Sequence, residues 1–339
     1  MDDPQDLINQ GNQCFNRGEH HRAIAFYQEA VTRARERGDT GNELGALACL
    51  PVAWGNIPDG EKMIEAATRL LARARELGNK KYEMQAALRL AEALSHLDLR
   101  GRWRELKPLL LEGLEIARQW GDHWWEVYHL KTLGGCAVWV EEEEQGLVWL
   151  QEALNAIRPG MDKEHYFRGE VNEDLSSLMR QRGDHAEAVR YAEMAVDEFR
   201  QHGNPHFVAG AQLALARAER ARGELAEALR LVEEVLSQAR QMGWKGRERS
   251  AEYLRGELLR EMGHPDQAEP AARRALELVR EMKFKEEEVE CLLSLGQVLL
   301  ALKRRQEARE VLQQARRLSQ ERDYADHFQK AEELLAYIR

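Results

Sequence analysis

Arginine recurs along this chain at Arg35, Arg75, Arg118, Arg158, Arg200, Arg240 and Arg280, in successive steps of 40, 43, 40, 42, 40 and 40 residues. Five residues before each stands Ala30, Leu70, Gly113, Ala153, Ala195, Val235 or Ala275, and Ala315 continues the row. Seven residues earlier again come Ala23, Met63, Leu106, Gly146, Ala188, Ala228, Ala268 and Ala308. Gly18, Gly101, Gly183, Gly223 and Gly263 fill most of the slots five before those. Four series that keep the same steps mean eight repeats, and a repeat this short cannot enclose a core alone. The fold must be an array in which each repeat covers its neighbour.

Each repeat reads as two helices. Near His185 a helix begins that carries Ala188, Ala192, Ala195 and Phe199, a three-to-four spacing that makes one apolar stripe. Gly183 supplies a tight turn before it, and Gly203-Asn204 ends it, because glycine enters the left-handed region without a Cβ clash. Gly38-Asp39, Gly78-Asn79 and Gly121-Asp122 punctuate other repeats in the same way. No segment alternates with period two for long enough to form a strand, and 32% charged with 43% hydrophobic residues and 8 prolines suits long amphipathic helices. Alanine and glycine at fixed slots let two antiparallel helices approach closely, with larger side chains filling the gaps between neighbouring hairpins. The arginines fall near the ends of second helices, where positive charge complements the helix dipole.

Residue by residue, the repeats resemble the tetratricopeptide repeat family. The eighth shows Leu292, Leu295-Gly296, Leu299, Ala308, Leu312 and Ala315 at the family's W…LG…Y…A…F…A spacing, with leucine replacing the aromatics. The first shows Leu7, Gly11, Cys14, Gly18, Ala23, Tyr27 and Ala30; the fourth shows Leu130, Leu133-Gly134, Ala137, Gly146, Leu150 and Ala153. The resemblance implies an all-α fold, a right-handed α-α superhelical solenoid of eight helix hairpins. The hairpins fall at about 4–39, 40–79, 80–121, 122–162, 163–203, 204–243, 244–283 and 284–323, with a capping helix at 324–339, in one domain. Steps of 40 to 43 exceed the family's usual unit of ~34 residues, and arginine stands where the family commonly places a helix-ending proline. Long units of this kind look like those in sensor arms of some bacterial transcription activators and in polarity adaptors. The second repeat departs further: Pro51 and Pro58, with Met63 and Leu70 in the small-residue slots, predict a kinked or displaced hairpin.

In the family, the first helix of each repeat lines a concave face, so transferring that stripe yields a candidate groove. The first repeat contributes Gln5, Asn9, Asn12 and Asn16, whose amides donate and accept together and suit a peptide backbone. The third and fourth contribute Arg89, Glu92 and His96, then Tyr128, Lys131, Thr132 and Trp139. The fifth to seventh contribute Glu173, Asp174, Ser177 and Arg180, then Arg217 and Arg220, then Tyr253 and Glu257. Aromatic and arginine anchors are the residue types that dominate interface energies. The lysine and asparagine slots of the family's chaperone-tail clamp are not filled in register, so that ligand does not carry over. Trp103, Trp120, Trp124, Trp125, Trp139 and Trp149 crowd two repeats, either filling wide gaps in the core or forming a binding or self-association patch.

A formal net charge of −10 argues against a general nucleic-acid surface, and the basic stretch Lys303, Arg304, Arg305, Arg309, Arg316, Arg317 is interrupted by Glu307, Glu310 and Glu321. Cys14, Cys49, Cys136 and Cys291 form no CxxC pair and are read as small core residues. His123, Glu126 and His129 do not share a helix face, and the run Glu141 to Glu144 reads as a solvated loop. No phosphate-binding GxxxxGK, no HExxH, no signal peptide and no membrane-length apolar run occurs. The expectation is a cytoplasmic, non-enzymatic adaptor without metal or cofactor, which takes a protein or peptide partner in the groove, mainly through the third to sixth repeats. The alternatives are a regulatory arm that senses a small peptide or metabolite, and a scaffold that self-associates into a homo-oligomer through its tryptophans.

Overall fold

The computed structural model describes the chain except residues 1, 2, 56, 58, 59, 96–98, 141, 283, 323 and 339, and the side chains of 95, 99 and 100. Pro58 and His96 therefore lie outside the described residues. The described residues form seventeen α-helices and no strand. The first four hairpins pair α1 (Pro4–Asn16) with α2 (His20–Glu36), α3 (Thr40–Trp54) with α4 (Gly60–Glu76), α5 (Lys80–Ser95) with α6 (Leu99–Trp120), and α7 (His123–Trp139) with α8 (Glu143–Ala156). The next four pair α9 (Glu164–Gln181) with α10 (His185–His202), α11 (Pro205–Arg222) with α12 (Leu225–Met242), α13 (Lys245–Glu261) with α14 (Pro265–Met282), and α15 (Lys285–Ala301) with α16 (Arg305–Arg322); α17 (Ala325–Ile338) stands last. None of these helices is long and apolar enough to cross a membrane.

The chain divides into two compact units, residues 1–167 and 168–339. In the N-terminal unit α1, α3, α5 and α7 touch one another in succession, and in the C-terminal unit α11, α13, α15 and α17 do the same. No two second helices touch among the described residues. The first helices therefore form the inner layer of each unit and the second helices the outer one.

Small residues set the spacing inside a hairpin. A Cβ placed on Gly134 of α7 would lie 2.5 Å from Leu150 Cγ of α8 and 3.3 Å from the Gly146 carbonyl oxygen. The same sixteen-residue step brings Gly296 of α15 against Leu312 of α16, at 2.5 Å, and Gly11 of α1 against the Tyr27 ring of α2. In each case one helix gives up its side chain so that the other can seat a large one. Between hairpins the core is shared: Leu213, Val235, Leu254 and Leu258 belong to one buried cluster, and Leu259, Leu276, Leu292, Leu299, Leu312 and Leu335 to another. Ala331, Leu335 and Ile338 are the buried face of α17, which closes the second cluster.

The turns follow the glycine pattern with two exceptions. Gly203, with φ +79, donates its N–H to the Phe199 and Arg200 carbonyls, and Asn204 then caps α11 by accepting from the His206 N–H at 3.0 Å. Asp39 and Asp122 cap α3 and α7 in the same way, so each Gly-Asx pair both stops one helix and starts the next. Lys303 takes the left-handed slot of the eighth repeat, with φ +60. Gly101, expected to make the corresponding turn in the third repeat, lies inside α6 instead. In the second repeat α3 runs through Pro51 as far as Trp54, where the Gly55 N–H bonds the Pro51 carbonyl at 2.9 Å. Pro51 sits so near the helix end that α3 ends one turn after it.

The arginine series does more than complement helix dipoles. Arg35 bonds Glu43, Arg118 bonds Glu126 and Arg280 bonds Glu288, in each case eight residues on, at 2.9, 3.0 and 2.9 Å. Arg240 reaches Glu248 at 3.7 Å and also bonds Glu252. Each of these pairs ties the end of a second helix to the start of the next first helix. Glu43, at 1% exposure, accepts from both Arg35 and Arg73, and the two guanidinium groups hold its carboxyl below the usual range although burial pushes the other way. Cys14, Cys136 and Cys291 are buried free thiols and Cys49 is half-buried.

Two outcomes are expected from these contacts. Gly134→Ala should lower stability by about 1–2 kcal/mol in denaturant melts, because the overpacking at Leu150 outweighs the ~1 kcal/mol that alanine gains over glycine in a helix. Glu288→Gln should lower stability by about 1–3 kcal/mol at neutral pH, since Arg280 and Lys285 lose their shared charged acceptor. Because neighbouring cations hold Glu288 below the usual carboxylate range despite its burial, that difference should be present above about pH 4.5 and vanish as acid protonates the wild-type group.

Candidate functional site

In the N-terminal unit, α5 and α7 bring several of the expected residues together. The Tyr128 hydroxyl donates to Glu92 at 2.5 Å, and Arg89 donates to the other oxygen of the same carboxylate at 2.6 Å. Burial, reinforced by the Glu92 charge, pushes the Tyr128 phenol up to about 12, so it stays a donor at physiological pH. The Lys131 ammonium lies 5.6 Å from the centre of the Tyr128 ring. Trp124 packs edge-on against Tyr128 and Phe167, at 5.2 and 5.6 Å between ring centres, and the Lys163 ammonium sits 5.7 Å from its ring. Trp139, eleven residues after Tyr128 and so on the same face of α7, is 62% exposed.

The remaining residues of this unit are more scattered in role. Asn9, Asn12 and Asn16 lie on the exposed side of α1, but the Asn12 carbonyl accepts from the Tyr27 hydroxyl at 2.8 Å and the Asn9 carbonyl from Gln5 at 3.2 Å. That row is thus partly spent on the protein itself. The tryptophans divide as well. Trp103 and Trp149 are buried edge-to-face, with the Trp103 indole N–H on Glu142 at 2.9 Å and Lys107 over both rings. Trp120, like Trp139, is exposed, and Trp124 and Trp125 are half-buried.

In the C-terminal unit the inner layer is dominated by charge. On α9, Glu173 stands beside Asp174 and Glu170, and burial together with those two carboxylates pushes its own pKa up to about 8. Arg217 and Arg247 oppose that shift from α11 and α13. Arg247 reaches over the bare backbone of Gly210, where a Cβ would lie 2.7 Å from its Nη2. Arg220 bonds Glu261 at 2.9 Å and Glu257 at 3.1 Å, and Glu257 also accepts from Arg260 at 3.2 Å and from the Ser294 hydroxyl at 2.6 Å. Tyr253 is half-buried next to these groups, and burial raises its phenol pKa. Among the described residues Arg180 donates to the Ser177 hydroxyl, at 3.3 Å, and makes no ion pair.

Sequence reasoning missed Arg247, Arg249 and Glu170. Arg249 precedes Tyr253 by four residues, so running the stripe of α13 one turn towards its start would have found it. Arg247 could not have been found that way, because its place depends on a glycine in another helix.

Glu173 generates a pH test. With a folded pKa above the ordinary carboxylate value, the native state holds a proton that the unfolded chain releases, so this group costs stability progressively from about pH 4.5 to 8. The melting temperature of Glu173→Gln relative to wild type should therefore rise across that interval and level off above it. A difference that stays flat with pH would show Glu173 to be ionised throughout.

Comparison with known proteins places this geometry. No curated protein sequence matches the chain. The MalT-like TPR region family matches residues 151–337, more than half of the chain. Among solved structures, the chain is similar to a signal transduction ATPase with numerous domains that carries a tetratricopeptide repeat sensor, from Pyrococcus horikoshii, with TM-score 0.64 and 14% identity. That match covers 94% of this chain but 48% of the other, so the chain spans about half the length of that protein. It is also similar to the apo quorum sensor NprR of B. thuringiensis, with TM-score 0.69 and 13% identity over 93% of this chain and 87% of that one. A Rap protein crystallised with competence and sporulation factor matches with TM-score 0.60 and 12% identity over 99% and 97%. Identities this low speak for the fold alone, and that fold agrees with the repeat register, the paired helices and the sequence match in assigning this chain to the MalT-like TPR region family.

Proposed function

We propose that this chain is a peptide-sensing repeat array, whose ligand lies on the inner layer of first helices in the C-terminal unit. The observation that carries this reading is the surface that α9, α11 and α13 present there: charged and aromatic side chains on packed helices, with Glu173 shifted towards its neutral form by burial and by Asp174 and Glu170. Shifted groups on a preorganised surface mark binding sites more often than bland exteriors. A sensor is favoured over an adaptor because two of the similar structures are described as a quorum sensor and as a Rap protein holding a competence and sporulation factor. The Arg89–Glu92–Tyr128 network of the N-terminal unit is satisfied within the protein and is read as a structural brace.

The proposal is tested by offering the full chain an array of random heptapeptides and following hydrogen exchange with those retained. Slower exchange over α11 and α13, with α7 unchanged, is the expected result. Retention without protection of those helices would move the site elsewhere, and no retention at all would remove the peptide reading.

A further inference from the structure

Among the described residues of the first helices, Arg89, Arg220, Arg222, Arg255 and Arg260 each reach a carboxylate, whereas Arg180, Arg217, Arg247 and Arg249 make no ion pair. Arg180, Arg220 and Arg260 occupy the same position in three successive repeats, forty residues apart. Arg220 and Arg260 both bond Glu257. Forty residues before Glu257, the position that should serve Arg180 holds Arg217. One repeat position has thus reversed its charge, and a cation stands where the partner of another cation would be. Arg249 joins them from α13: among the described residues it makes no ion pair, its Nε is buried without a hydrogen-bond partner, and Arg180 and Arg217 likewise make no ion pair. The Arg217 side chain reaches solvent, yet crowding by the surrounding protein and by Arg180 and Arg249 lowers its pKa while Glu173 raises it, and burial with Arg220 lowers that of Arg180. Like charges gathered together are destabilising, so a structural role does not account for them.

Resting on the peptide-sensing reading above, we propose that Arg180, Arg217 and Arg249 are the anchor for a carboxylate of the bound peptide. The missing anion of the repeat pattern is then supplied by the ligand, in the place that Glu257 fills one repeat later. Guanidinium groups hold carboxylates through paired, charge-assisted hydrogen bonds. The acidic side of the same surface limits the choice of anion. Glu170 and Asp174 lie ten and six residues before Arg180 on α9 and would repel a polyphosphate or a nucleic-acid backbone. A peptide carboxylate, carrying one charge at the end of a mostly neutral chain, fits between.

The test uses the full chain and three variants, Arg217→Gln, Arg249→Gln and Arg217→Glu. Peptides retained by the wild type are measured again with their C-terminal and side-chain carboxylates capped as amides. Capping, or either glutamine variant, should weaken binding about tenfold or more, the ordinary cost of losing a charged hydrogen bond. Arg217→Glu should abolish binding and raise the melting temperature, because it restores inside the protein the pair that Glu257 makes with Arg220. Equal binding of capped peptides, equal binding by the glutamine variants, or a lower melting temperature in Arg217→Glu would each overturn the anchor while leaving peptide sensing intact. If the wild type retains no peptide, the sensing reading fails, and melting in glutarate against sodium chloride of equal ionic strength decides the anchor by itself. A rise seen in wild type and lost in Arg217→Gln supports it; no rise, or a rise with inorganic phosphate alone, overturns it.

Discussion

A hairpin of two amphipathic helices leaves one apolar face uncovered, and within each unit successive hairpins cover one another's faces. Everything else follows from how closely the helices can approach. Where Gly134, Gly296 and Gly11 give up a side chain, Leu150, Leu312 and Tyr27 fill the space, and the pair locks in register. In the sixth to eighth hairpins the buried clusters run from one hairpin into another.

Charge plays the complementary part at the junctions. A carboxylate buried where one hairpin meets the next would be prohibitive alone, and Glu43, Glu252 and Glu288 are each met by at least two cations, at least one of them from a neighbouring helix. Such pairs add modest net stability, yet they penalise any shift of one hairpin against its neighbour, which would strand a charge. They work as registers for the stack. The inner layer of the C-terminal unit stands out, since Arg180, Arg217 and Arg249 make no ion pair among the described residues and Arg217 lies near the other two.

Stability and binding make opposite demands on such a surface. Several junctions pair a buried carboxylate with two cations, while α9, α11 and α13 keep some of their arginines without an ion pair among the described residues. Departures from local rules tend to gather where a protein meets its ligand. The N-terminal unit shows the other outcome: Arg89, Glu92 and Tyr128 were equally plausible as ligand contacts, yet their atoms are used up on one another.

The array itself was legible in the sequence, because repetition, apolar spacing and turn glycines are one-dimensional signals that need no partner to be read. The all-α class and the sequential pairing of helices in hairpins follow from them. The arginine ladder was legible as a series but not in its meaning, since a pair eight residues apart crosses a turn whose geometry decides whether the two side chains meet. The candidate site was legible only as a stripe: Glu173, Arg180, Arg217, Arg220 and Tyr253 were named, and Arg247 and Arg249 were not. Tertiary structure decided which of those charges are neutralised, because pairing depends on distances between helices that lie forty residues apart in the chain. A residue's type declares what it can bond, and only the packing around it determines whether that bond is already made.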